Sequence, residues 1–128
     1  MTADTNPLFS NLRVVELASM ILAPSAAVIL ADYGAEVIKV EPPKTGDLNR
    51  NWHRKITGLP ISDMAYGFEV DNRNKKSVVL NLKSADAYAA LCKIISEADV
   101  LITNYRLKAL DKLKLDYESI RAINPRII

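Results

Sequence analysis

The amino-acid sequence predicts an α/β fold with a mostly parallel sheet, and three observations carry that reading. Leu12 to Pro43, LRVVELASMILAPSAAVILADYGAEVIKVEPP, runs as strand, helix and strand. Apolar strands and amphipathic helices keep alternating down to Ile128. Of the 128 residues, 49% are apolar, enough for the packed core of one modest domain. Two strands joined by a crossover helix within about 30 residues form a βαβ unit, whose strands lie parallel.

Residues 1–11 begin as a polar stretch and read as a flexible tail rather than a signal peptide, leaving 12–128 as one domain. Leu12–Leu17 is a short apolar run with two valines, which suits a buried strand. Pro24 opens a helix, where its missing N–H is no loss; Ala26–Tyr33 continues it and Gly34 stops it. Glu36–Glu41 alternates charged and aliphatic residues as a second strand, ended by Pro42-Pro43. Lys44–Tyr66 is a long polar connection, a length that goes with function or disorder in a compact domain. Phe68–Val70 reads as a short extended piece and Asp71–Lys76 as a polar turn. Ser77–Leu82 is a third strand. Ser84 caps a helix over Ala85–Ala98, in which Ala87, Leu91, Ile94, Ile95 and Ala98 make one buried stripe. Val100–Thr103 is a fourth strand. Leu107, Leu110 and Leu113 mark one short helix; Tyr117, Ile120 and Ile123 mark another, stopped by Asn124-Pro125. Arg126–Ile128 starts a fifth strand.

A parallel sheet of this kind holds its ligand beyond the carboxyl ends of the strands. Ala18–Ala23 and Glu41–Asp47 are therefore the first loops to search. No G-x-G-x-x-G or G-x-x-x-x-G-K-S/T occurs, and Ala18–Ala23 has no glycine, so a conventional dinucleotide turn is not expected. The net charge of +2 is too small to point to nucleic acid. No run of about 18 apolar residues is present, so no membrane span is expected. The single cysteine, Cys92, excludes an internal disulfide and fits a cytoplasmic protein. One cysteine and one histidine do not make a zinc site.

Four phrases, in order and spacing from Leu12 to Ile128, carry a resemblance. They are LRVVELASMILAPSAAVILADYGAEVIKVEPPKTGDLNR, NRNKKSVVLNLKS, ADVLITNYR and YESIRAINPRII. Together they resemble the N-terminal part of the class III CoA-transferase family, which also contains acyl-CoA racemases. LRVVELA and ADVLI are most similar to the racemase-like members. The resemblance implies a Rossmann-like large domain built from both ends of a longer polypeptide. Two such chains thread through each other as an interlocked homodimer; a partner chain supplying the rest of the fold is the alternative. It implies coenzyme A, bound as acyl-CoA, and no metal. Transferases of the family attack the thioester with an aspartate carboxylate, forming a mixed anhydride and then an aspartyl- or glutamyl-CoA thioester. The racemases move the α-proton with an Asp and His pair. Both sets lie beyond the part matched here. The expectation is a CoA-binding portion, inactive alone, from a truncated, fragmentary or split member.

The same resemblance implies where CoA is touched: Ile21 and Leu22 after the first strand, Leu80, Asn81 and Lys83 at the end of the third, Asn104, Tyr105 and Arg106 after the fourth, and Lys112 on the next helix. Cations and loop amides at strand ends suit the phosphates of CoA, and an aromatic suits its adenine. The chain departs from the family pattern at several points. Leu107-Lys108 stands for Pro-Gly, Lys112 for an arginine, Lys114 for a glycine, Leu22-Ala23-Pro24 for Ala-Gly-Pro, and Pro42 for an arginine of some members. These departures sustain a second reading, a non-catalytic, degenerate α/β module that binds a nucleotide or another chain.

Other polar residues have plainer readings. His53 is a solvated loop side chain, Cys92 a small packed residue and Asp32 a surface carboxylate. Lys75 and Lys76 belong to a solvated turn. Trp52 is a loop anchor, a lid or a dimer contact. Glu41 ends the second strand, where a Rossmann acid would bind a ribose hydroxyl; the family resemblance implies instead a structural role, orienting the loop that follows.

Overall fold

The computed structural model describes residues 7–52 and 65–128. Four parallel strands form one sheet: β1 (Arg13–Leu17), β2 (Glu36–Glu41), β3 (Lys76–Val79) and β4 (Val100–Thr103), in the order β3-β2-β1-β4. Among the described residues the helices are α1 (Leu22–Asp32), α2 (Tyr66–Asn72), α3 (Ala85–Ser96), α4 (Leu107–Leu113) and α5 (Tyr117–Ile123), with a 3-10 turn at Leu48–Asn51.

The period of β1 decides the layering. Val14 points to one face, where it meets Ala27, Ala31, Ala35 and Val37; small alanines let α1 sit close to the sheet. Val15 and Leu17 point to the other, against Leu91 and Ile95 of α3, Leu110 of α4 and Ile120 of α5. Helices thus cover both faces of the parallel sheet.

Several elements follow their local chemistry. Gly34 has φ +101 and ends α1 in a Schellman motif, its N–H donating to Ala31 O and that of Ala35 to Leu30 O. A Cβ at Gly34 would collide with the Pro7 ring, because Pro7–Asn11 folds back over this corner. The Phe9 N–H donates to Tyr33 O at 2.9 Å, and the two rings meet edge to face. Asp116 caps α5 by accepting from the Ser119 N–H. Asn124, where α5 stops, is buried and donates to Ile95 O and Ala98 O, satisfying the end of α3.

Several expectations need correction. Phe68–Val70 is helical, part of α2, because Phe68 alone is buried while Glu69 and Val70 face outward. The turn at Asp71–Lys76 shrinks, since Asp71 and Asn72 close α2 and Lys76 opens β3. The third strand is shorter than Ser77–Leu82: after Val79 only the Leu80 N–H still reaches across, to Glu41 O. Ser84 holds the N-cap position of α3 with extended backbone but makes no side-chain cap bond, and α3 ends at Ser96. The expected fifth strand at Arg126–Ile128 is not formed as an element, and only Ile128 pairs with the sheet. Ile128 donates to Asp99 O and accepts from the Leu101 N–H, the slanted pattern of a parallel pair on the outer edge of β4.

Candidate functional site

The strand order 3-2-1-4 reverses direction between β1 and β4, so a switch-point crevice lies beyond their carboxyl ends. Nearly all of the candidate site lies along that edge of the sheet.

Its base is a buried chain of charges. Glu16 and Lys39 are register partners across β1 and β2, on the α1 face. Lys39 Nζ lies 2.5 Å from Glu16 Oε1 and 2.6 Å from Asp47 Oδ2, and it donates to Ala18 O. The Asp47 Oδ2 contact lacks hydrogen-bond alignment and is an ion pair only. Lys75 Nζ reaches the other Glu16 oxygen at 2.6 Å and also donates to Pro24 O and Asn72 Oδ1. Its side chain is 2% exposed, so the solvated-turn reading of Lys75 is wrong; Lys76, at 73%, is exposed but opens β3 and pairs with Glu36. Burial pushes the Lys75 ammonium below its usual range, against the pull of Glu16. Burial also raises Asp47, but Lys39 and the N–H groups of Asn49 and Met20 outweigh it and hold the carboxyl below the usual range.

Glu41 forms the next layer and does orient its loop. Its carboxylate takes Arg50 in a two-pronged pair at 2.7 Å each, Ser77 Oγ at 2.6 Å and the Asp47 N–H at 2.8 Å. Those donors, Arg50 first, bring Glu41 down to about 2 despite its burial. The Arg50 guanidinium also stacks 3.7 Å from the Phe68 ring centre. Gly46, at φ +60, lets the backbone turn between Glu41 and Asp47.

The β1 loop is held from both sides. Asp47 Oδ1 accepts from Ser19 Oγ, Met20 N–H and Asn49 N–H. Asn49 Nδ2 donates to Met20 O, and Asn104 pairs twice with the Ser19 backbone. Met20 has φ 73, a left-handed conformation that a side chain disfavours.

The expected ligand residues are distributed along this edge. A cleft of about 190 Å³ beyond β2 and β3 is lined by residues 40–43 and 80–83 with Leu113, and so brings together Leu80, Asn81 and Lys83. Ile21 and Leu22 are exposed at the start of α1. Asn104 and Arg106 are exposed after β4, and Lys112 is exposed in the last turn of α4. Tyr105 is partly buried against the Leu91 and Ile95 core; burial raises its phenol and nearby Lys39 opposes the shift. A groove of about 230 Å³ between α3 and the amino-terminal halves of β1 and β2 holds none of these nine residues. His53 lies outside the described residues, Asp32 is exposed and paired with Arg73, and Trp52 is exposed.

Lys39 and Glu16 are the residues that sequence reasoning missed. The available signal was a Lys and a Glu at inward positions of two adjacent predicted strands, opposite in sign.

A doubly wound parallel sheet with a polar switch-point edge defines a ligand-binding α/β domain of the Rossmann-like class. The profile of CoA-transferase family III matches residues 9–128, and the chain belongs to that family. It is 43% identical over 129 residues to cinnamoyl-CoA:phenyllactate CoA-transferase of Clostridium sporogenes, covering 100% of this chain and 31% of that one. It is 40% identical to succinate--glutarate CoA-transferase of Agrobacterium fabrum (strain C58 / ATCC 33970), covering 98% and 32%. Among solved structures, a CAIB/BAIF family protein from Brucella suis superposes with a TM-score of 0.85 at 38% identity, covering 96% of this chain and 32% of that one. The chain therefore spans about a third of the length of these relatives. No described helix is long and apolar enough to cross a membrane.

Proposed function

We propose that this chain supplies the coenzyme A site of a class III acyl-CoA transferase, with acyl-CoA or CoA as ligand. The observation that supports it is the cleft holding Leu80, Asn81 and Lys83, on the same sheet edge as the Ile21-Leu22 and Asn104–Arg106 loops. Lys83, Arg106 and Lys112 offer charge for a diphosphate and a 3′-phosphate, and the apolar wall at Leu80 and Leu82 suits an adenine. A homodimer, or a partner segment completing the fold, and a cytoplasmic location belong to the same proposal. Both enzymes named above are transferases, which favours transfer over racemisation.

The described carboxylates at this edge argue that the 128 residues bind without catalysing. Glu16 is held by Lys39 and Lys75, Glu41 by Arg50 and Ser77, and Asp47 by Lys39 and backbone N–H groups. An attacking carboxylate must be free to meet a thioester carbon, and these are not. Calorimetry with CoA is the test. Micromolar binding that weakens roughly tenfold in Lys83→Ala, the loss of one charge-assisted contact, supports the site. Undetectable binding favours the degenerate module instead. Thioester exchange by the chain alone would overturn the argument about its carboxylates.

A further inference from the structure

We propose that Asp47, Asn49 and Asn104 are positioning residues that lock Ser19–Met20 in a left-handed turn and thereby set where α1 begins. The ligand part of this inference rests on the CoA reading above. The backbone bonds of this dipeptide carry the inference. Ser19 N–H donates to Asn104 Oδ1 at 3.1 Å, and Ser19 O accepts from Asn104 Nδ2 at 2.7 Å. Met20 N–H donates to Asp47 Oδ1 at 3.0 Å, and Met20 O accepts from Asn49 Nδ2 at 3.3 Å. All four polar backbone atoms of the dipeptide thus end on side chains, drawn from two loops that flank β1. Backbone groups leaving a strand normally pair with water or neighbouring backbone, so this is a built arrangement.

Met20 explains why three side chains are needed. At φ 73 a residue with a Cβ is strained, and such strain persists only where the surroundings over-determine it. Asp47 is itself buried, 2% exposed and paired with Lys39, and Asn49 is also tied to Gly67 O. Ile21 follows as the N-cap of α1, and Leu22 begins the helix. A turn that relaxed at Met20 would swing both away from the crevice. Asn104 crosses the switch point between β4 and β1, and both ends of its amide are committed to Ser19. Its influence on CoA therefore runs through the β1 loop rather than through a side-chain contact with the ligand.

The test has two arms on the 128-residue chain. In the first, residue-resolved amide hydrogen exchange is followed without ligand. Asn104→Ala should speed exchange at Ser19 by roughly tenfold or more, the loss of one hydrogen bond, with the melting midpoint little changed because Asn104 is exposed. In the second, CoA binding is measured by calorimetry. Asn104→Ala should weaken it by roughly tenfold, and adding Met20→Gly, which adopts the left-handed turn unaided, should restore most of that loss. Unchanged exchange at Ser19, or lost affinity that Met20→Gly leaves untouched, overturns the proposal and points to direct contact by Asn104. If the unmodified chain binds no CoA, the functional reading fails, and the exchange arm still decides whether the lock exists.

Discussion

Glu16 and Lys39 stand opposite each other across the β1–β2 ladder, their charged ends 2.5 Å apart and both side chains sealed from solvent. Asp47 and Lys75 extend the pair at either end, so four charges alternate in sign with no net charge buried. That balance is what makes the burial tolerable; removing one member leaves a charge with no counter-ion. Lys39→Met retains a similar stem and strips Asp47 of its partner. Urea denaturation should show a loss of about 3–5 kcal/mol, with part returned by adding Asp47→Asn. A loss below about 1 kcal/mol, the range of a surface pair, would mean the chain of charges contributes little.

Glu41 should govern stability in acid. Its carboxyl titrates at an ordinary 4.5 in the unfolded chain and at about 2 in the fold. A depressed folded value contributes stability that is fully present above 4.5 and is lost as pH falls toward 2. The linked energy is at most about 3 kcal/mol, less some screening because Arg50 is partly exposed. Unfolding curves at pH 7 and pH 3 should therefore separate more for the native sequence than for Glu41→Gln. Equal separation would assign the acid sensitivity to other carboxylates.

What the sequence made legible was local. The short apolar run at Leu12–Leu17, a proline in the first turn of α1 and Gly34 after its last turn each act within a few residues, and each appears in the fold. Phe68–Val70 went astray because three residues fit either period, and the burial of Phe68 decides the matter only once α2 is packed. The candidate edge was legible as strand ends. Its chemistry was not, because Lys75 meets Glu16 across 59 positions and Asn104 meets Ser19 across 85. A lysine in a polar run looks solvated until a carboxylate from another strand is placed beside it.

Gly46 tests the loop that Glu41 and Asp47 share. At φ +60 it occupies a conformation that costs a side chain about 1–2 kcal/mol. A Cβ there would also lie 2.9 Å from both Glu41 Oε2 and Arg50 Cδ. Gly46→Ala should therefore strain the turn and loosen the Arg50 pair together. A drop in the denaturation midpoint with a raised Glu41 pKa, read by carboxyl carbon shifts, is the expected result. A drop in stability with the Glu41 titration unmoved would confine the damage to backbone strain.

Lys114 is the one departure from the family pattern whose cost can be read from backbone geometry. It follows the last turn of α4 at φ 54, ψ 43. The Lys114 N–H donates to Asp111 O and the Leu115 N–H to Leu110 O, the same pair of bonds that Gly34 makes after α1. Leu115 is buried, so the chain must turn here whatever residue stands at 114. Lysine in this position carries a Cβ penalty that glycine does not, while glycine gives up more freedom on folding. The exposed lysine side chain offers no packing to lose, and the Tyr88 hydroxyl donates to its backbone carbonyl, which any residue retains. Lys114→Gly should accordingly stabilise the chain by about 1 kcal/mol, a rise of a few degrees in the melting midpoint for a domain of this size. Lys114→Ala, which keeps the Cβ and loses only the charge, should leave the midpoint where it is. If the alanine variant rises as far as the glycine one, the gain comes from removing a cation, and the strained turn is not its source.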